Sequence, residues 1–133
     1  MSELRELVER FYATFDDNDM GAAQACFTPD GGEAGVAAWR EFTGRLKAAA
    51  PDARLRVVTA IEDGERIAVE GVLTGTFTAP MQTPKGQAPP SGNAFALPFA
   101  DVFTVAGGLI ARHRVYYDQV DFLTQLGLLP ATS

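Results

Sequence analysis

At Pro51 the hydrophobic pattern changes period, and that change leaves room for few architectures. Upstream, Leu4, Leu7, Val8, Phe11, Tyr12 and Phe15 recur at steps of one, three and four residues, the spacing of one helix face. Ser2 ahead of Glu3 and Glu6 reads as a helix start, with acids near the positive end of the dipole. Asp16-Asp17-Asn18 ends that helix, and Asp19 caps a short second one through Phe27. After the loop Thr28-Pro29-Asp30-Gly31-Gly32, a third helix is predicted from Glu33 to Ala49, with Val36, Trp39, Phe42 and Leu46 along one side. Downstream of Pro51, Leu55, Val57 and Thr59 alternate with Arg54, Arg56 and Val58, the period of a strand.

The rest of the chain keeps the strand period. Asp63-Gly64 and Gly107-Gly108 read as hairpin turns. The strand from Arg66 to about Thr78 contains Gly71 and Gly75, which predict bulges or bends and hence strong curvature. Residues 79–93 are rich in Pro and Gly and have the length of a lid or binding loop. A third strand spans Ala94 to Val105, and the last strand ends at Asp118. Val120, Leu123 and Leu126 then open a short helix. The expected fold is α+β, one domain over residues 1–133: N-terminal helices packed in a strongly curved four-stranded antiparallel sheet, with a short C-terminal helix.

Composition excludes several functions. A net charge of −6 argues against a nucleic-acid groove, which needs clustered Lys and Arg. The one basic cluster, Arg112-His113-Arg114, is divided between two faces by strand alternation and reads as a solvated or dimer-facing edge. Cys26 is the single cysteine, so one chain holds neither a disulfide nor a thiolate metal site. Its alanine neighbours make it a small buried helix residue. No stretch is long enough to span a bilayer and no signal core is present, so the expectation is a cytoplasmic protein without a membrane partner. No His/Asp/Glu spacing indicates a metal, and none of the glycine pairs is a phosphate cradle; no metal or cofactor is expected.

Taken together, Phe11-Tyr12 through Asp19, Gly75-Thr76-Phe77-Thr78, Pro89-Pro90-Ser91-Gly92, Ala100-Asp101-Val102-Phe103, Gly108-Leu109-Ile110 and Tyr116-Tyr117-Asp118 followed by Gln125-Leu126-Gly127-Leu128 resemble SnoaL-like proteins of the nuclear transport factor 2-like superfamily. The resemblance implies a cone-shaped, barrel-like fold with a hydrophobic pocket and a homodimer through the outer face of the sheet. It also implies polyketide-cyclase chemistry, in which a pocket aspartate acts as acid and base for an aldol ring closure. Asp118 is the position most similar to that aspartate. Phe77 stands where many relatives carry a histidine. Arg114-Val115-Tyr116-Tyr117-Asp118 resembles the last strand of limonene-epoxide-hydrolase-like members, but Val72-Leu73-Thr74-Gly75 lacks their earlier Arg-x-Asp. A ketosteroid isomerase pattern would want a tyrosine where Phe11 falls, next to Tyr12.

Asp101 is anomalous on its own terms, a carboxylate on an apolar strand face between Phe99 and Phe103. Left unpaired there it would be costly, so it needs a cationic partner, water, or a polar spot in a cavity. Counting outward from Gly107-Gly108 puts Asp101 opposite Arg114, which predicts a cross-strand ion pair. Arg112, Arg114, Tyr116 and Asp118 would then share the pocket face, with His113 turned away from Asp118. Asp118 either caps the last helix or faces the cavity. The candidate catalytic residues are Asp118 and Asp101, since a carboxylate in an apolar pocket gains basicity suited to removing a carbon-bound proton. Tyr12, Trp39, Phe99, Phe103, Arg114 and Tyr116 are the candidate substrate-binding residues. The reading is a small cofactor-independent enzyme that cyclises, isomerises, hydrates or dehydrates a hydrophobic polyketide- or terpenoid-like molecule. The alternative is a non-catalytic small-molecule-binding or dimerisation module of the same fold.

Overall fold

The computed structural model describes residues 2–29 and 33–128, without the side chains of residues 33–35. Three helices, α1 (Glu3–Asp16), α2 (Met20–Gln24) and α3 (Glu33–Ala49), precede β1 (Arg54–Asp63) and β2 (Arg66–Thr76). A small hairpin, β3 (Met81–Thr83) and β4 (Gly86–Ala88), interrupts the meander before β5 (Ala94–Ala106), β6 (Leu109–Tyr117) and α4 (Gln119–Gln125). The main sheet is antiparallel in the order β1-β2-β5-β6. Local chemistry sets the helix starts. Ser2 Oγ accepts the Arg5 N–H at 3.1 Å, and Asp19 Oδ1 accepts that of Ala22 at 3.0 Å.

The second helix stops at Gln24, short of the expected Phe27. The Ile110 N–H instead donates to the Cys26 carbonyl at 2.7 Å, and the Thr28 N–H to the Ile110 carbonyl at 2.9 Å. A helix would leave those edge groups of β6 without partners, so the chain unwinds to pair them. Cys26 is buried, as expected. The predicted loop through Gly32 falls partly on residues 30–32, outside the described residues.

Curvature comes from the glycines and one bulge. Gly71 lies opposite Phe99, whose ring crosses it so closely that a Cβ there would sit 2.4 Å from Phe99 Cζ and 2.7 Å from the Arg56 carbonyl oxygen. Beside it the β1–β2 register shifts between Val57 and Thr59. The folded-in face carries Phe103, Ile67 and Ile110 against Phe11 and Phe15 of α1, all fully buried. Lys47 of α3 is buried too, donating to the carbonyls of Asp16 at 3.1 Å and Ala53 at 2.6 Å with its ammonium 4.7 Å from the Phe15 ring centre. It ties the end of α1 to the start of β1.

The 79–93 stretch is not a bare loop. Its base is closed by Phe77 N–H to Asn93 carbonyl (2.9 Å) and Gly92 N–H to Phe77 carbonyl (2.8 Å), and β3 and β4 stand between.

The β5–β6 pairing corrects one expectation that matters for the site. Val105 pairs with Ile110, but Thr104 pairs with Arg112, so Ala111 is an extra residue in β6. From there on the register is one residue away from a plain count outward from the turn. Asp101 faces Val115, not Arg114, and Phe103 faces His113. The bulge reverses which side chains point inward.

A buried acid/base cluster and an adjacent cleft

The expected Asp101–Arg114 ion pair does not form. Arg112, Arg114 and Tyr116 lie on the outer face and are exposed, because the bulge turned their alternation outward. Burying His113 in their place costs one imidazole; the opposite parity would have buried two guanidiniums.

Asp101 is 2% exposed, and its Oδ2 accepts a hydrogen bond from the Tyr12 hydroxyl of α1. His113 Nε2 lies 3.3 Å from the same oxygen. That contact lacks hydrogen-bond geometry: His113 Nε2 and Asp101 Oδ1 are both buried without a hydrogen-bond partner among the described residues. So are Trp39 Nε1 and Thr43 Oγ1, one turn apart on α3. Buried polar atoms without partners cost about 1–3 kcal/mol each, and native structures keep few of them.

Aromatic rings enclose the cluster. Phe103 stacks flat on His113, with 4.5 Å between centroids and 3° between planes. Phe11 and Trp39 meet the imidazole edge-on at 5.5 and 5.6 Å. Phe99 and Phe103 flank Tyr12 at 6.0 and 6.1 Å. Burial, and then the Asp101 carboxylate beside it, hold the Tyr12 pKa far above the usual phenol range. Tyr12 therefore stays a proton donor.

Of the residues expected at the site, Tyr12, Trp39, Phe99, Phe103 and Asp101 come together around this cluster. Arg114 and Tyr116 do not. Neither does Asp118: it is exposed, and its Oδ1 accepts the Asp121 N–H at 3.0 Å as the N-cap of α4. It shares no face with Asp101, so the two carboxylates do not form a pair. His113, which an unbroken strand parity turns away from Asp118, belongs to the cluster, and Thr43 was not among the candidates.

A cleft of about 530 Å³ opens at the end of the cone, between α3, the β3–β4 hairpin and α4. Its apolar walls include Phe42, Leu46, Met81, Tyr117 and Phe122. The volume is within the usual range for small-molecule sites. Tyr12, Asp101 and His113 do not line it. Phe42 of the cleft wall lies 5.9 Å from Trp39, which in turn meets His113 at 5.6 Å, so Trp39 links the cleft wall to the cluster. Among the described residues no group of three or more His, Cys, Asp or Glu is placed to hold a metal ion. No helix there is long and apolar enough to cross a membrane.

This arrangement, helices held in a curved antiparallel sheet around a polar spot at the base of an apolar cone, defines a nuclear transport factor 2-like fold. Residues 8–113 match the sequence model of the SnoaL-like domain, and the chain belongs to that family. Solved structures of similar shape include TsrD from Streptomyces laurentii, 23% identical over 96% of each chain with a TM-score of 0.78. AclR from Streptomyces galilaeus, a candidate hydroxylase, is 20% identical over 100% of this chain and 86% of its own, with a TM-score of 0.81. IdmH from Streptomyces antibioticus, a candidate polyketide cyclase, is 22% identical over 95% of this chain and 99% of its own, with a TM-score of 0.78. No curated protein matches the sequence. Family and fold together place the chain among SnoaL-like proteins.

Proposed function

We propose that this protein is an enzyme of acid/base chemistry on a hydrophobic, polyketide- or terpenoid-like molecule, and that Asp101 and His113 handle the proton. The observation that carries the reading is Asp101 itself: a buried carboxylate with one oxygen held by Tyr12 and the other unpartnered, beside an imidazole with an unpartnered Nε2. Asp101 Oδ1 is the base for a proton next to a carbonyl. Tyr12, fixed in its protonated form, keeps the second carboxylate oxygen occupied. His113 Nε2 passes the proton onward or returns it to the product. Thr43 Oγ–H is an unused donor on α3 for the oxygen that gains charge as the enolate forms. Aldol-type cyclisation, double-bond isomerisation and dehydration next to a carbonyl begin with such a step, and hydration ends with its reverse. The uncovered outer face of the sheet, where Tyr116 is 54% exposed and Val58 62%, is the surface we assign to a homodimer.

The molecule would enter through the cleft and displace Trp39 to reach the cluster. A second reading follows from the same wall. If Trp39 stays in place, the cleft serves a carrier that binds without reacting. Crystals soaked with a polycyclic aromatic ketone separate the two. The enzyme reading expects a rotated Trp39 and the ketone against Asp101. A ketone confined to the cleft, with Trp39 still on His113, would establish the carrier.

A further inference from the structure

The charge of the cleft runs against that of the chain as a whole. The protein has 17 Asp and Glu against 11 Lys and Arg, yet the charged side chains lining the cleft are Arg45 and Lys85, both cations. They come from two different elements, Arg45 from α3 and Lys85 from the turn between β3 and β4. Arg45 is only loosely held: its guanidinium reaches Glu41 at 4.0 Å, and both side chains are largely exposed. The acids that flank the cleft in sequence are otherwise used. Asp118 caps α4, and Asp121 accepts from Gln125 Nε2 at 3.2 Å. The rest of the lining is uncharged and includes Phe42, Leu46, Met81, Tyr117 and Phe122 with a few neutral amides.

We propose that the cleft selects an anionic aromatic molecule, one whose flat apolar body lies between Phe42, Met81 and Phe122 and whose carboxylate or other acidic group is held between Arg45 and Lys85. This inference rests on the cleft being the small-molecule site of the proposed function. It requires nothing of Asp101 or His113. Two cations lining one cleft favour a negative group over a neutral one even where each alone is worth little in water.

The test uses two fluorescent probes with the same aromatic body, the anion 8-anilino-1-naphthalenesulfonate and the neutral N-phenyl-1-naphthylamine. Arg45→Gln and Lys85→Gln should each weaken the anionic probe about two- to fivefold, as expected for partly exposed charge pairs. The double variant should weaken it by about the product of the two, while the neutral probe is unchanged. Added salt should weaken the anion alone. Ala88→Trp, which fills the cleft, should exclude both probes, and Arg112→Gln on the outer face should affect neither. The proposal is overturned if the two Gln variants leave the anionic probe's affinity unchanged, if they weaken both probes alike, or if Ala88→Trp leaves the probes bound. Probe binding is read without turnover, so a failure here is distinct from a failure of the acid/base reading.

Discussion

Replacing Asp101 with Asn should leave the protein as stable as before, or more so, although the side chain is among the most buried in the molecule. The carboxylate has one good hydrogen bond, from Tyr12, and one oxygen without a partner. A hydrogen bond to a charged group contributes about 1.5–3 kcal/mol and a neutral one about 0.5–1.5, so the exchange loses about 1 kcal/mol at Tyr12. Against this, a buried charge carries an effective desolvation penalty of several kcal/mol, which a single donor and an off-axis imidazole do not fully repay. The two effects sum to between no change and a gain of about 2 kcal/mol. Urea unfolding followed by the fluorescence of Trp39, the sole tryptophan, measures it directly. Asp101→Ala is the contrast, because it strands the Tyr12 hydroxyl without an acceptor and should cost about 1–3 kcal/mol plus the cavity. A loss of more than about 2 kcal/mol in Asp101→Asn would refute the reasoning. It would mean that the carboxylate is kept to hold α1 on the sheet and not at a cost to stability.

Asp118→Ala should lower stability by about 1 kcal/mol through the lost N-cap of α4, whereas Asp118→Asn, which can still cap, should not; thermal melts of both variants decide it. Gly71→Ala should cost about 1–3 kcal/mol or block folding, because its Cβ meets the Arg56 backbone carbonyl at 2.7 Å and only part of the crowding can be relieved by moving Phe99. The Tyr12 pKa is raised above its unfolded value of 10.0, so its contribution is fully present below pH 10.0 and declines as pH rises beyond it. Lys47 has the opposite sign. Its pKa is lowered from 10.5, mainly by burial, so between that lowered value and 10.5 the unfolded chain binds more protons and stability rises with pH. Tyr12→Phe should therefore flatten the alkaline fall in urea midpoint above pH 10.0, and an unchanged fall would rule out Tyr12 as its source.

Much of the fold could be read from the sequence because its signals are local. Ser2 and Asp19 cap where they stand, Pro51 follows the last residues of α3, and Gly64, Gly107 and Gly108 take the positive φ that tight turns require. Asp101 was legible as an anomaly, since no charge belongs on that face without a reason. Its partners were not. The bulge at Ala111 has no glycine or proline to announce it, and an unbroken count from Gly107-Gly108 turns every side chain of β6 beyond it to the wrong face. A physical signal was nevertheless present. In Arg112-His113-Arg114 only the middle residue can be buried uncharged, which favours the register that turns His113 inward. Asp118 was ambiguous for a different reason: a carboxylate at the strand–helix junction is equally suited to capping and to chemistry, and only the position of the Asp121 N–H separates them.

The account stands or falls on which aspartate moves the proton. Solvent deuterium uptake next to the carbonyl of a bound polycyclic ketone, followed by NMR, measures that step alone. The wild-type protein should catalyse exchange, Asp101→Asn should lose about a hundredfold or more, and Asp118→Asn should stay close to wild type. Exchange that survives in Asp101→Asn and is lost in Asp118→Asn would contradict the assignment and return the chemistry to the cap of α4.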